Sequence, residues 1–154
     1  MVDRRGSTRM DLKVLGLLLV AHFCGDILFA SHRLAVLKRG SGLSDQLLGL
    51  IGHCCIHAFV AGILLFLARS LWIRATTMLF GFHFLIDFVR SSVERDRFGS
   101  GIVYVKRSEF MAWISGRSKD RSKMNIRNLR LWLLINLLDQ AAHLASLLII
   151  ATFA

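Results

Sequence analysis

Four apolar runs divide the chain, at about 12–30, 46–68, 71–89 and 131–153, separated by stretches rich in Lys, Arg, Gly and Ser. Each run holds about 19–23 residues, which at about 1.5 Å rise per residue is enough to cross a bilayer as an α-helix. The pattern predicts an all-α polytopic membrane protein. It is a single domain, 1–154, with a bundle of four transmembrane helices and a basic loop, 90–130, between helices 3 and 4. A signal peptide would have a shorter, uncharged apolar region. The first run carries His22 and Asp26 and is read as a retained helix.

The connections carry their own signals. Residues 1–11 are polar and basic and read as a loose tail. Residues 31–45 form a basic loop in which Gly40-Ser-Gly42 breaks any helix, with Ser44 or Asp45 placed to cap the next one. Arg69-Ser-Leu-Trp-Ile-Arg74 makes a tight turn with an interfacial tryptophan. Within 90–130, which holds eleven Lys or Arg, Val103 to Ile114 mixes aromatic, aliphatic and basic residues. It reads either as an amphipathic element on the membrane surface or as a solvated loop.

Polar positions inside the runs follow a rule. They include His22 and Asp26, His53 and His57, His83 and Asp87, and Asp139 and His143. Every span carries one such pair, always four residues apart, so both members lie on one helix face. In an up-and-down bundle all four pairs fall in the half of the bilayer nearest the loops after spans one and three, roughly 5–20 Å deep. Three aspartates inside a membrane cost about 8–10 kcal/mol on insertion scales. Intramembrane ionisable groups are functional candidates by default.

Composition narrows the chemistry. Hydrophobic residues make up 55% and charged residues 19%, and there is no proline to break long helices. A net charge of +10 would suit a nucleic acid, but beside these spans it places basic loops against anionic head groups instead. The expected partners are membrane lipid and an amphiphilic substrate with an anionic head group, with no nucleic acid and with oligomerisation left open. Cys24, Cys54 and Cys55 lie inside apolar runs without CxxC spacing and read as reduced packing residues.

Mixed His and Asp donors suit divalent zinc first, with iron or manganese as alternatives. The metal ligands expected are His22, Asp26, His53, His57, His83, Asp87, Asp139 and His143, enough for two ions with positions left open. Asp26, Asp87 and Asp139 are the candidate catalytic carboxylates, with Asn136 and Gln140 beside them. Two ions can clamp the attacking and leaving oxygens of an ester or phosphoester, so a metal-dependent hydrolase acting on a lipid or lipid-linked (phospho)ester is the first reading. Haem needs fewer histidines and no adjacent carboxylates. A metal-ion or proton transporter using the same residues as a relay is the alternative, followed by a structural or partner-binding subunit held by an ion-pair network. His32 and Arg90 lie just outside the spans near the proposed site, where they could meet a head group, with interfacial anchoring the favoured reading for Arg90. Loop charges put both termini outside by the positive-inside rule, against the basic amino-terminal tail.

The motifs His22-Phe-Cys-Gly-Asp26, His53-Cys-Cys-Ile-His57, His83-Phe-Leu-Ile-Asp87 and Asp139-Gln-Ala-Ala-His143 resemble an uncharacterised family of small bacterial inner-membrane proteins, a domain of unknown function. Its pattern is HxxGD, HxxxH, HFxID and DQxxH. That family often has a glutamine shortly after the GD pair, where this chain has Phe29-Ala30. The resemblance covers all four spans and implies the bacterial inner membrane. A looser similarity to membrane-bound metal-dependent hydrolases transfers no residue roles.

Overall fold

Asp11 caps the first helix. Its carboxylate accepts hydrogen bonds from the Lys13 and Val14 amides at 2.9 and 3.1 Å, satisfying donors that a helix start leaves free. That helix, α1 (Leu12–Phe23), continues into a π-helical segment, Cys24–Leu28. The remaining helices are α2 (His32–Leu37), α3 (Leu43–Leu67), α4 (Trp72–Phe98), α5 (Arg107–Ile114) and α6 (Ile126–Phe153). This computed structural model describes residues 10–29, 31–68, 72–117 and 126–153, and among them there is no strand.

α3 packs on α4, α4 on α6, and α1 against both α3 and α6. The Asp11 amide donates to the Ala151 carbonyl at 2.8 Å, so the start of α1 meets the end of α6. Farther along α1, His22 meets His143, which lies earlier on α6. The two helices therefore run antiparallel.

The bundle has two layers along its axis. At one end Val14, Leu18, Ala61, Leu65, Leu79 and Leu147 form a closed apolar core. One helical step away the lining turns polar on all four long elements: Leu18 gives way to His22, Ala61 to His57, Leu79 to His83 and Leu147 to His143. The outside of the long helices carries many large apolar side chains, with Phe59 70% exposed, Leu137 67% and Leu85 60%. Such continuous exposed apolar surface is foreign to a water-soluble monomer and suits lipid.

The connections pack over the polar end. A Cβ on Gly49 would come within 2.5 Å of the Lys38 amide nitrogen, so glycine lets the end of α2 lie directly on α3. After α4 the chain turns through Gly99 and Gly101, with φ of +106° and +69°, values that favour glycine. The Gly101 amide then donates to the Arg39 carbonyl at 2.6 Å, tying the two connections together.

Three helices are long and apolar enough to cross a membrane: α3, α4 and residues Arg127–Phe153 of α6. The chain is thus an all-helical integral membrane protein, and the expected four spans are met only in part. The expected first span, 12–30, has 12 residues of α-helix before its hydrogen bonding widens to π at Cys24. The helix of the expected third span, 71–89, runs on past residue 89 to Phe98. Arg90 to Phe98 are polar but hold good helix formers and no proline, so polarity there marks the edge of the membrane rather than the end of a helix. The stretch 90–130 is accordingly not a simple loop. It contains the end of α4, all of α5 and the start of α6. Likewise α2 interrupts the expected loop at 31–45, and α3 begins at Leu43 rather than Gln46. The amino-terminal tail over 1–9 and residues 69–71 of the expected turn at 69–74 lie outside the described residues, while Trp72 to Arg74 are the first residues of α4 rather than a turn.

Candidate metal centre

Every long element delivers its polar pair to one place. The i, i+4 spacing aims both members of each pair inward, and the antiparallel packing brings the pairs to one level. Ring centroids lie 3.9 Å apart for His57 and His83, 4.3 Å for His83 and His143, 4.6 Å for His53 and His57, and 4.8 Å for His22 and His143. His57, His83 and His143 are buried, as are Asp87 and Asp139. A Cβ on Gly25 would overlap the His57 ring, so the glycine of the His22–Asp26 motif is what lets α3 approach the π segment.

The three aspartates have different neighbours. Asp26 meets only imidazoles: Oδ1 lies 3.3 Å from His57 Nε2 and 3.6 Å from His53 Nε2, and Oδ2 lies 3.4 Å from His22 Nε2. Asp87 Oδ2 accepts from Lys38 Nζ at 2.9 Å and sits 3.3 Å from His53 Nε2. Asp139 Oδ2 accepts from Arg90 Nη1 at 2.6 Å and from Gln140 Nε2 at 3.1 Å. Arg90 also donates to Asn136 Oδ1 at 2.7 Å and to Glu94 Oε1 at 3.2 Å. Its reading as an interfacial anchor is therefore corrected: Arg90 is the counter-ion of Asp139. Glu94 is buried and paired with Arg39 as well.

Two sets of donors have atoms within 4.8 Å of one another: Asp26, His53, His57 and His83, and His83, Asp87 and His143. His22 and Asp139 border these sets and belong to neither. The buried nitrogens at their centre include Nδ1 of His57, Nδ1 and Nε2 of His83, and Nε2 of His143, none with a hydrogen-bond partner, while His57 Nε2 has the Asp26 carboxylate at 3.3 Å. Native proteins leave few buried polar atoms unpaired, because each costs about 1–3 kcal/mol. His143 shows how one is prepared. Its Nδ1 lies 2.9 Å from the Asp139 carbonyl, which can only accept, so the proton is on Nδ1 and the Nε2 lone pair is free. A carbonyl that fixes the tautomer in this way is the usual support of a metal-bound histidine. The donor set and its unpaired nitrogens fit a divalent ion.

Access is from one side. A cavity of about 330 Å³ reaches Asp26 and His53, and its wall includes Lys38, Arg39, Arg90, Asn136 and Gln140. Phe110 of α5 and Trp132 of α6, with rings 5.5 Å apart, stand at its edge. The opposite side of the cluster is sealed by the apolar layer.

Sequence spacing alone did not place Lys38, Arg39 or Glu94 in the site, and it put Arg90 beside the site without its acid partners. Lys38, Arg39 and Arg90 meet Asp87, Glu94 and Asp139 across 49 to 55 residues, which no local pattern marks; the i, i+4 spacing of Arg90 and Glu94 is the local signal among them. His32, expected near the site, is exposed at the start of α2. Asn136 and Gln140 do touch it, and Gln140 Oε1 lies 3.4 Å from His22 Nε2. All three cysteines are free, with Cys54 buried and Cys55 exposed.

No curated protein and no solved structure matches the chain. Residues 14–154 match the family described as "Protein of unknown function (DUF3307)", a span that takes in all four His/Asp pairs and both layers of the bundle. The chain belongs to the DUF3307 family.

Proposed function

We propose that this protein is a metal-dependent hydrolase of the bacterial inner membrane, acting on a lipid or lipid-linked phosphoester, with α1 and its π segment completing a four-helix bundle in the bilayer. The observation that carries the reading is the set of Asp26, His53, His57 and His83, four donors within 4.8 Å of one another, two of which also line an open cavity. Structural metal sites are closed by protein ligands, whereas catalytic ones keep a side open to water and substrate. A divalent ion bound there, zinc first and iron or manganese as alternatives, supplies Lewis acidity and activates water near neutral pH.

The surrounding side chains fit the rest of the task. Asp26 is the one aspartate of the three with no Lys or Arg partner among the described ion pairs, so its charge is available to a metal. Lys38 and Arg90 face the cavity as cations for a phosphate, while Asp87 and Asp139 hold them in place. The second set, His83, Asp87 and His143, already has the Lys38 ammonium at Asp87. A second ion there meets a like charge, which favours one ion over two. The sealed apolar layer speaks against the transporter reading, which needs access from both faces.

Detergent-purified protein loaded with zinc, iron or manganese should hydrolyse a lipid phosphoester, and Asp26→Asn should abolish the activity. Metal-loaded wild-type protein inert toward lipid phosphoesters and carboxylic esters alike would remove this reading.

A further inference from the structure

A second cavity lies outside the polar one and shares a wall with it. Between α4 and α6 runs a groove of about 440 Å³, lined by Leu85, Val89 and Val93 on one side and Ile135, Leu138 and Ala142 on the other, with the Arg90–Asp139 ion pair at its inner wall. These recur at helical steps of three or four, so each helix gives the groove one continuous face. Leu85, Val89 and Leu138 are more than half exposed, which leaves the groove open sideways to the lipid. Its volume lies within the roughly 300–1,000 Å³ of ordinary ligand pockets.

Arg90 lines both spaces. The groove surface is almost wholly carbon, so Arg90 shows it the aliphatic stem. The guanidinium bonds Asn136, a wall residue of the polar cavity. An arginine has five N–H donors. Three are engaged by Glu94, Asp139 and Asn136, one on each nitrogen, which leaves one on each terminal nitrogen. Both remaining N–H groups can donate to a phosphate. Lys38 Nζ, bonded to Asp87, has donors left as well.

The apolar groove between the π segment and α3, near Cys24, Phe59 and Ile63, is larger but carries no charged residue in its wall. Charge therefore separates the two grooves, and of the two the α4–α6 groove adjoins the cavity that Lys38, Arg39 and Arg90 line.

We infer that the α4–α6 groove holds an acyl chain of a phosphate-bearing lipid whose phosphate lies on Arg90 and Lys38 in the polar cavity, with Arg90 as the joint between chain and head. The substrate then enters sideways from the bilayer. This rests on the lipid-phosphoester reading and adds the class of substrate and its route.

The test uses the full chain in detergent, with dioleoyl phosphatidic acid as the lipid probe and glycerol phosphate as a head without a chain. Native mass spectrometry reads lipid binding, calorimetry reads glycerol phosphate, and elemental analysis reads zinc in the same samples. Ala142→Trp, at an exposed position, fills the groove. It should weaken phosphatidic acid binding at least tenfold, leaving glycerol phosphate and zinc unchanged. Val89→Trp from the facing helix should do the same, and Ala58→Trp in the uncharged groove should not. Wild-type lipid affinity in both groove variants, or an equal loss in Ala58→Trp, would overturn the inference. Absence of zinc from the wild type would instead count against the metal reading and leave the lipid result to stand or fall by itself.

Discussion

The two ends of this bundle use the same four elements and opposite chemistry. At one end Leu18, Leu65, Leu79 and Leu147 fill the interior with carbon. At the other, one helical step away, the interior is five imidazoles and three carboxylates. The apolar end asks nothing of the sequence beyond size and shape, since close-packed side chains satisfy themselves. The polar end is built of mutual obligations: Asp87 needs Lys38, Asp139 needs Arg90, and the unpaired nitrogens of His57, His83 and His143 need a cation or ordered water. The contrast teaches that the apolar end fixes the helices and the polar end spends that rigidity on a site. Lesions at the two ends should therefore respond differently to metal.

The largest effect belongs to the carboxylate that meets only histidines. Asp26→Asn keeps the shape, removes the charge and should abolish bound metal, as read by elemental analysis. Next is Lys38→Met. It leaves Asp87 as a buried, unpaired charge, and breaking such a pair costs about 3–5 kcal/mol. Its melting temperature in detergent should fall in the apo protein and recover with added zinc, because a metal cation can take over the role of the ammonium. Leu79→Ala opens a cavity in the apolar end at a cost of about 2–5 kcal/mol, and here zinc should shift the melt no more than it shifts the wild type. A metal rescue of Leu79→Ala equal to that of Lys38→Met would erase the distinction between the ends. Smallest is Phe59→Ala on the lipid-facing surface, which should change stability by no more than about 0.5 kcal/mol and leave metal content alone.

The helices and the inward pairs were legible because both rest on local spacing. Apolar length marks a helix, and two residues four apart share its face. What escaped the sequence was non-local or a matter of where polarity changes. Lys38 and Arg90 lie 49 residues from Asp87 and Asp139, so their pairing appears only once α2 lies on α3 across Gly49 and α4 lies on α6. Arg90 looked like an anchor because it follows the last apolar residue of its run, yet α4 continues to Phe98 and turns it inward. The π segment at Cys24–Leu28 had no signal of its own beyond Gly25. Such segments are often found at functional sites, and this one carries Asp26.

Elemental analysis of the detergent-purified chain, beside Asp26→Asn, tests the central claim most directly. The account predicts one zinc, iron or manganese per chain in the wild type and none in the variant. A wild-type chain that stays metal-free after reconstitution, or a variant that keeps its full complement, would contradict it.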